Sequence, residues 1–243
     1  MSTTQRIGFG KKIRLDWLAL ALRLRASGAD FEAARAPLSD LIAETNKGKV
    51  AITKALSNLR QVIFVPTEEN EAFTAAALEL YREHGERYSL ELVWGLSLVS
   101  YSFFALCAET TGRLLRLNES FTAAELVRRL TEKAGDRGFV DRVGRYNLSS
   151  ILDWGVLTLD GETKKYVRGA ARKVTQGDLA AWLLEAALKV SQKSALPTQQ
   201  LTANQALFPF TLPILPTTSL PSLNPRLIVT RLSLNEEQVG LSD

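Results

Sequence analysis

Eight basic side chains in the middle of the sequence could bind nucleic acid. An arginine guanidinium can donate paired hydrogen bonds to a phosphate or to a guanine edge, and a lysine ammonium supplies a point charge for phosphates. The candidates are Arg128, Arg129, Arg137, Arg142, Arg145, Lys164, Lys165 and Arg168. Duplex binding is therefore the first chemistry to consider for this chain.

The local pattern of residues 121–168 predicts the helices that would carry these side chains. Thr122 with Glu125 three residues later is a capping box, which indicates the start of a helix. Gly135 and Asp136 interrupt the apolar spacing, so we expect a tight turn followed by a second helix. Gly155 is well placed to end that second helix, because a residue without Cβ is favoured there.

A β-hairpin is predicted after the second helix. Residues 156–159 and 164–167 have the composition of strands, and Asp160-Gly161 between them is typical of a tight hairpin turn. A helix, a turn, a second helix and a hairpin together form a winged helix-turn-helix. The sequence thus predicts this module over residues 121–168.

The spacing assigns each basic side chain a role in such a module. Arg137, Arg142 and Arg145 would lie on the helix that enters the major groove, and Lys164, Lys165 and Arg168 on the hairpin would contact phosphates. Arg128 or Arg129, with Thr122, could contact the flanking backbone. Asn147 could contact adenine if it faces outward. Asp141 weakens a pure phosphate clamp and could instead orient Arg137 or Arg145.

The distribution of charge supports the same surface. The net charge is +4, but residues 113–173 hold 13 Lys and Arg against 8 Asp and Glu. Residues 1–25 hold 6 basic residues and 1 acid, and the remainder of the chain is net negative. Localised positive charge is the pattern expected of a phosphate-binding face.

Other functional classes find little support in the sequence. One histidine, His84, and one cysteine, Cys107, make a zinc site or a Cys-His catalytic pair improbable, and they allow no internal disulfide. His84 precedes Gly85 at the expected end of a helix, which favours a capping role. No phosphate-binding loop or dinucleotide motif is present. We therefore expect no enzymatic activity, no cofactor and no bound metal.

The chain also lacks a candidate membrane segment. The apolar, uncharged run of residues 92–108 falls short of the roughly 20 apolar residues that a spanning helix needs. The N-terminus has no apolar stretch of signal-peptide length. A single cysteine agrees with a reducing compartment, so we expect a cytoplasmic protein.

We expect a mainly α-helical chain in three parts. Residues 1–89 would form an N-terminal helical bundle behind a basic, flexible arm at residues 1–12. Residues 90–194 would form the winged-helix domain with flanking helices, including one long apolar helix over residues 90–117. A second and weaker candidate DNA surface lies in the bundle, at Lys47, Lys49, Lys54 and Arg60.

Residues 195–243 differ from the rest in composition. Six of the eight prolines lie between Pro197 and Pro225, among many apolar side chains and few charges. A free linker would be more polar, so we expect an extended tail that docks on a surface. Residues 226–232 would form a terminal strand. The surface could belong to the chain itself or to another protein subunit bound through residues 195–232.

Two stretches resemble a family of small proteins encoded in bacterial phage-defence islands, the small A component of BREX defence systems. They are LVWGLSLVSYSFFALCAETTGRLLRL and FTAAELVRRLTEKAGDRGFVDRVGRYNLSSILDWGVL. The resemblance spans about residues 13–170, and its short matches are Gly135-Asp136-Arg137 and Asp153-Trp154-Gly155. It implies a helical, accessory DNA-binding subunit of a multi-protein antiviral complex. The proline-rich tail has no counterpart in that family.

These observations lead to one hypothesis and two alternatives. The chain would be a non-enzymatic DNA-binding subunit of a bacterial defence complex, which contacts duplex through the winged helix. It could instead be a scaffold that holds protein partners and does not touch DNA. The third possibility is a dimeric winged-helix transcriptional regulator that binds a palindrome.

Overall fold

The computed structural model describes residues 8–135, 138–233 and 236–242, without the side chain of Glu236. The chain is mainly helical, as the sequence predicts. The helices are α1 (Leu15–Ala26), α2 (Phe31–Thr45), α3 (Lys49–Leu59), α4 (Glu71–His84), α5 (Ser89–Ser100), α6 (Ser102–Leu117), α7 (Ala123–Ala134), α8 (Val140–Asp153), α9 (Gly177–Ser191), α10 (Thr198–Thr202) and α11 (Leu220–Leu223).

Short strands connect these helices and form small sheets. The strands are β1 (Ser120–Phe121), β2 (Leu157–Leu159), β3 (Tyr166–Arg168), β4 (Arg172–Lys173), β5 (Ala195–Pro197), β6 (Phe210–Thr211), β7 (Leu227–Ser233) and β8 (Glu236–Leu241). One antiparallel sheet has the order β1-β3-β2 and another has the order β5-β8-β7. The strands β4 and β6 pair in parallel.

The first three helices form where the apolar spacing and the caps predict them. Trp17, Leu18 and Leu22 lie on the buried face of α1. The side chain of Asp30 accepts a hydrogen bond from the backbone N–H of Ala33 and caps α2. The α3 segment continues through one π-helical turn, Arg60–Phe64.

The single long helix expected over residues 90–117 is wrong. Tyr101 adopts an extended backbone conformation between α5 and α6, and the helical stretches on either side of it are bent by 119°. The Tyr101 hydroxyl lies 3.0 Å from Asn58 Oδ1 and 2.7 Å from Gln61 Oε1. These contacts hold the break against the α3 segment.

No single helix in the described ranges has the length and apolar character needed to cross a membrane. The stretches Glu68–Ser100 and Ser102–Leu117 satisfy the criterion only when they are taken together across the bend.

One hydrophobic core crosses the predicted limit between the first two parts. Phe9 is fully buried and packs edge-on against the rings of Tyr101, Phe104 and Trp154. The indole N–H of Trp154 donates to the carbonyl of Ile13. The predicted flexible arm is therefore wrong for residues 8–12, since Phe9 anchors this stretch between the two halves.

The proline-rich segment packs on the body of the same chain. Phe208 and Phe210 pack edge-on against Trp94, whose indole N–H donates to the carbonyl of Ala206. The segment is not extended throughout, because it contains α10, α11, single-turn helices and four strands. Its proline-rich composition reflects the turns between these short elements, and its apolar side chains complete the core.

Candidate nucleic-acid interface

The element order of residues 102–168 is helix, strand, helix, helix and hairpin. The predicted capping box is present at the start of α7, where the backbone N–H of Thr122 donates to Glu125 Oε2 at 2.6 Å and the backbone N–H of Glu125 donates to Thr122 Oγ1 at 3.2 Å. The hydrogen bonds that the Glu125 carboxylate accepts from the backbone N–H and the hydroxyl of Thr122 lower its pKa. Leu126 and Leu130 on α7 are buried, so the predicted apolar face is confirmed.

The second helix of the motif, α8, is amphipathic as predicted. It buries Val140, Val143, Leu148 and Ile151. Gly155 ends it with φ +72°, a left-handed conformation that suits glycine, and the N–H of Val156 bonds back to the carbonyl of Ile151. The close approach of α7 and α8 also depends on a glycine, because a Cβ at Gly144 would lie 3.0 Å from the Leu130 side chain.

The predicted hairpin forms, and Asp160-Gly161 lies in its connection, although this connection is not a tight turn. The connection is longer and is closed by a backbone hydrogen bond from Asp160 to the carbonyl of Lys165. The Asp160 carboxylate accepts from the backbone N–H and the hydroxyl of Thr163, both at 2.7 Å. The backbone bond to Thr163 is the main cause of the lowered pKa of Asp160. Lys164 adopts the left-handed conformation, with φ +56°.

The two described arginines predicted for α8 both point to solvent. Arg145 donates to Asp141 Oδ1 at 2.9 Å, so Asp141 orients Arg145, one of the two arginines that the sequence left open. Arg142 is exposed and forms no ion pair with the residues that the structure describes. Arg137 lies outside the described residues.

The arginines on α7 are already engaged. Arg128 and Arg129 both pair with Glu132, at 2.7 Å and 3.1 Å. All three side chains are about half exposed, so solvent and salt screen these pairs strongly. Together, Arg128, Arg129 and Glu132 carry a net charge of +1.

The hairpin cations differ in their availability. Lys165 is exposed, and the ammonium of Lys164 donates to the carbonyl of Gly161. Arg168 donates to the carbonyl of Phe208 and lies 5.6 Å above the centre of its ring. The predicted phosphate-contacting role of Arg168 therefore conflicts with its contacts, which fasten β3 to the proline-rich segment.

The possibility that Asn147 contacts adenine is wrong, because its side chain is buried. Asn147 follows Val143 and precedes Ile151 by four residues each, so the helical period places it on the inner face of α8. Its amide atoms have no hydrogen-bond partner within the described part of the chain. A Cβ built at Gly8 would lie 3.4 Å from Asn147 Nδ2, so the N-terminal segment around Gly8 covers this position.

Helix α3 contributes residues to the same surface that the sequence did not connect with α8. A cleft of about 390 Å³ lies between the two helices. Lys54, Ser57 and Asn58 line it from α3, Arg142 and Tyr146 line it from α8, and Gly10 lines it from the N-terminal segment. From the sequence, Lys54 belongs to the second candidate surface in the N-terminal bundle, because nothing in the local pattern relates residue 54 to residue 142.

Two further features lie elsewhere. His84 Nε2 is 2.8 Å from Asp178 Oδ2. The side chains of Glu83, His84 and Asp178 each offer one potential metal-binding atom, and these atoms lie within 4.8 Å of one another. His84 ends α4 as predicted, but the capping role is wrong, because its ring bonds Asp178 on α9 and the C-cap residue is Gly85. An open groove of about 1290 Å³ runs between α6, α9 and the segment around α10.

Comparisons of the chain with family models, with characterised proteins and with solved structures found no match. The functional assignment therefore depends on the geometry and chemistry of the chain itself.

Proposed function

We propose that the chain is a non-enzymatic DNA-binding protein and that residues 102–168 form a winged helix-turn-helix. In this proposal α8 is the helix that enters the major groove, and the hairpin of β2 and β3 is the wing. The order helix, strand, helix, helix and hairpin, with its β1-β3-β2 sheet, supports the assignment. The observation that carries it is the solvent face of α8, which presents Arg142 and Arg145.

Arg142 is the most available of these cations, because no carboxylate among the described residues competes for it. Arg145 must exchange Asp141 for a phosphate or a base. Both side chains of that pair are more than half exposed, and such pairs contribute only about 0.2–1 kcal/mol, so a duplex can displace the carboxylate. Lys165 and Lys164 would contact backbone phosphates from the wing.

Replacement of Arg142 or Arg145 by alanine tests the proposal. Each variant should bind duplex more weakly than the wild type, and each lost phosphate contact should reduce the slope of log K against log salt by about 1. Arg35→Ala on α2 is the matched control, because Arg35 is also exposed and lies 3.7 Å from an acid, Glu32. Fluorescence anisotropy with a labelled duplex provides the measurement. Equal affinities for all three variants would place the interface elsewhere.

A protein scaffold that does not contact DNA is the second candidate. The observation that favours it is the engagement of Arg128, Arg129 and Arg168 within the chain, which leaves fewer free cations than the sequence suggests. A scaffold would bind partner proteins without any duplex affinity at low salt. A dimeric regulator is the third candidate, and a symmetric footprint on a palindromic site would distinguish it from both.

We further propose that the chain acts as a subunit of a bacterial antiphage complex. The support is the resemblance of two stretches within residues 13–170 to the small A component of BREX systems. Deletion of the gene should raise the phage sensitivity of its host, and the tagged protein should copurify with the other subunits of such a complex. Unchanged phage sensitivity after deletion would contradict this role and would leave the DNA-binding proposal intact.

A further inference from the structure

We infer that the cleft between α3 and α8 binds a phosphate group of the DNA backbone. This inference rests on the proposed DNA-binding function and extends the interface from the winged helix to the N-terminal helices. The cleft lies beside Arg142, at the point where α3 approaches the solvent face of α8.

The chemistry of the lining suits an anion. Lys54 and Arg142 provide two positive charges from helices that are distant in sequence, and Ser57 and Tyr146 provide hydroxyl groups. No Asp or Glu is found among the described residues that line the cleft. Two like charges facing one cleft repel each other, and a bound phosphate would neutralise them.

Lys54 and Arg142 also differ from the other arginines of α7 and α8. Arg128, Arg129 and Arg145 each pair with a carboxylate, whereas Lys54 and Arg142 form no ion pair within the described ranges. A phosphate that enters the cleft therefore displaces no internal partner. This difference makes the pair the best anion-binding position on the proposed interface.

The remaining residues shape the cleft and do not compete for the anion. The side-chain amide of Asn58 donates to the carbonyl of Lys54, and its oxygen faces the Tyr101 hydroxyl. Gly10 lies at the edge, where an added Cβ would meet no atom within 4 Å. The volume of about 390 Å³ falls within the usual range for small ligand sites, so a sugar-phosphate unit fits.

A backbone phosphodiester is the source that the position of the cleft favours. Arg142 belongs both to the cleft and to the solvent face of α8, so a strand that lies along α8 brings its phosphates to the cleft. A free nucleotide has the same phosphate chemistry and is the alternative source. The two can be separated with a duplex and with adenosine monophosphate as probes.

Lys54→Ala and Gly10→Glu test the inference on the full chain. We expect Lys54→Ala to weaken duplex binding about twofold to fivefold at low salt and to reduce the salt slope by about 1. Gly10→Glu places a carboxylate at the open edge of the cleft and should weaken binding more strongly. Arg35→Ala is the control, because Arg35 is a basic residue exposed on α2 that does not line the cleft. Thermal melting of all three variants should match the wild type.

The outcomes separate the inference from the function on which it rests. If the wild type binds duplex and Lys54→Ala and Gly10→Glu bind as tightly as Arg35→Ala, the cleft assignment is overturned and the winged-helix interface remains. If the wild type binds no duplex, both proposals are overturned. Micromolar binding of adenosine monophosphate that requires Lys54, with duplex affinity insensitive to Lys54, would assign the cleft to a free nucleotide and overturn the backbone assignment.

Discussion

At the scale of single residues, the basic side chains differ in what already binds them. The sequence locates the positive charge correctly on residues 128–168 but does not distinguish a free cation from an engaged one. Arg142 is free of ion pairs among the described residues, Arg145 is held by Asp141, and Arg168 is bound to Phe208. The Arg145–Asp141 pair is only four residues apart and is anticipated from the sequence, whereas the contact of Arg168 with Phe208 joins distant residues that local spacing cannot relate.

Arg168 therefore gives a prediction that opposes the expectation from the sequence. Arg168→Ala should lower the stability of the protein by about 1 kcal/mol, because it removes a hydrogen bond to the Phe208 carbonyl and a contact with its ring. Its duplex affinity should stay close to that of the wild type. Lys165→Ala, which removes an exposed side chain from the same hairpin, should weaken duplex binding and leave the stability unchanged. Urea unfolding and anisotropy on both variants provide the comparison, and a loss of affinity without a loss of stability in Arg168→Ala would contradict the assignment.

At the scale of elements, the sequence predicts helix ends better than connections. The capping box at Thr122 and the glycine end at Gly155 involve neighbours in sequence, so both are correctly predicted. The connection of the hairpin is longer than a tight turn, and the Asp160 carboxylate bonds within it to Thr163, a contact that the dipeptide Asp160-Gly161 does not indicate. The break at Tyr101 has neither proline nor glycine to indicate it, because the cause is a set of contacts with Asn58 and Gln61.

The hairpin loop should respond to pH through Asp160. Its pKa is lowered in the folded chain, so the ionised carboxylate favours the folded loop. This contribution is present above the unfolded pKa, about 3.9, and is lost as the pH falls through the lower folded value. Asp160→Ala should therefore melt at a lower temperature than the wild type at pH 6, and the difference should shrink as the pH falls below 4. An equal difference at pH 6 and at pH 3 would show that the carboxylate charge is not involved.

At the scale of the whole molecule, one core joins segments that the composition separates. Contacts of Phe9 with Trp154, and of Phe208 and Phe210 with Trp94, cross the limits predicted near residues 89 and 194. Gly112 shows how close this packing is, since a Cβ there would lie 2.1 Å from the carbonyl oxygen of Gln205. The sequence predicts that the proline-rich segment must dock, but the surface it uses follows only from the assembled core.

Phe210→Ala tests whether the proline-rich segment is part of the folding unit. Phe210 is buried against Trp94, so its truncation should cost about 3 kcal/mol and lower the single melting transition of the full chain. Ile214 is fully exposed on the same segment, and Ile214→Ala should leave the melting temperature unchanged. A chain that melts at the wild-type temperature with either substitution would show that the segment docks only loosely.

The most direct test of DNA binding is a titration of duplex affinity against salt with the full wild-type chain. The exposed cations of α8, the hairpin and the cleft predict detectable binding at low salt and a linear fall of log K with log salt, with a slope of about −3 to −5. Alanine at Arg142 should make that slope shallower by about 1, whereas alanine at Arg35 should not. Absence of binding at low salt, or an affinity that does not change with salt, would contradict the proposal that this protein binds DNA.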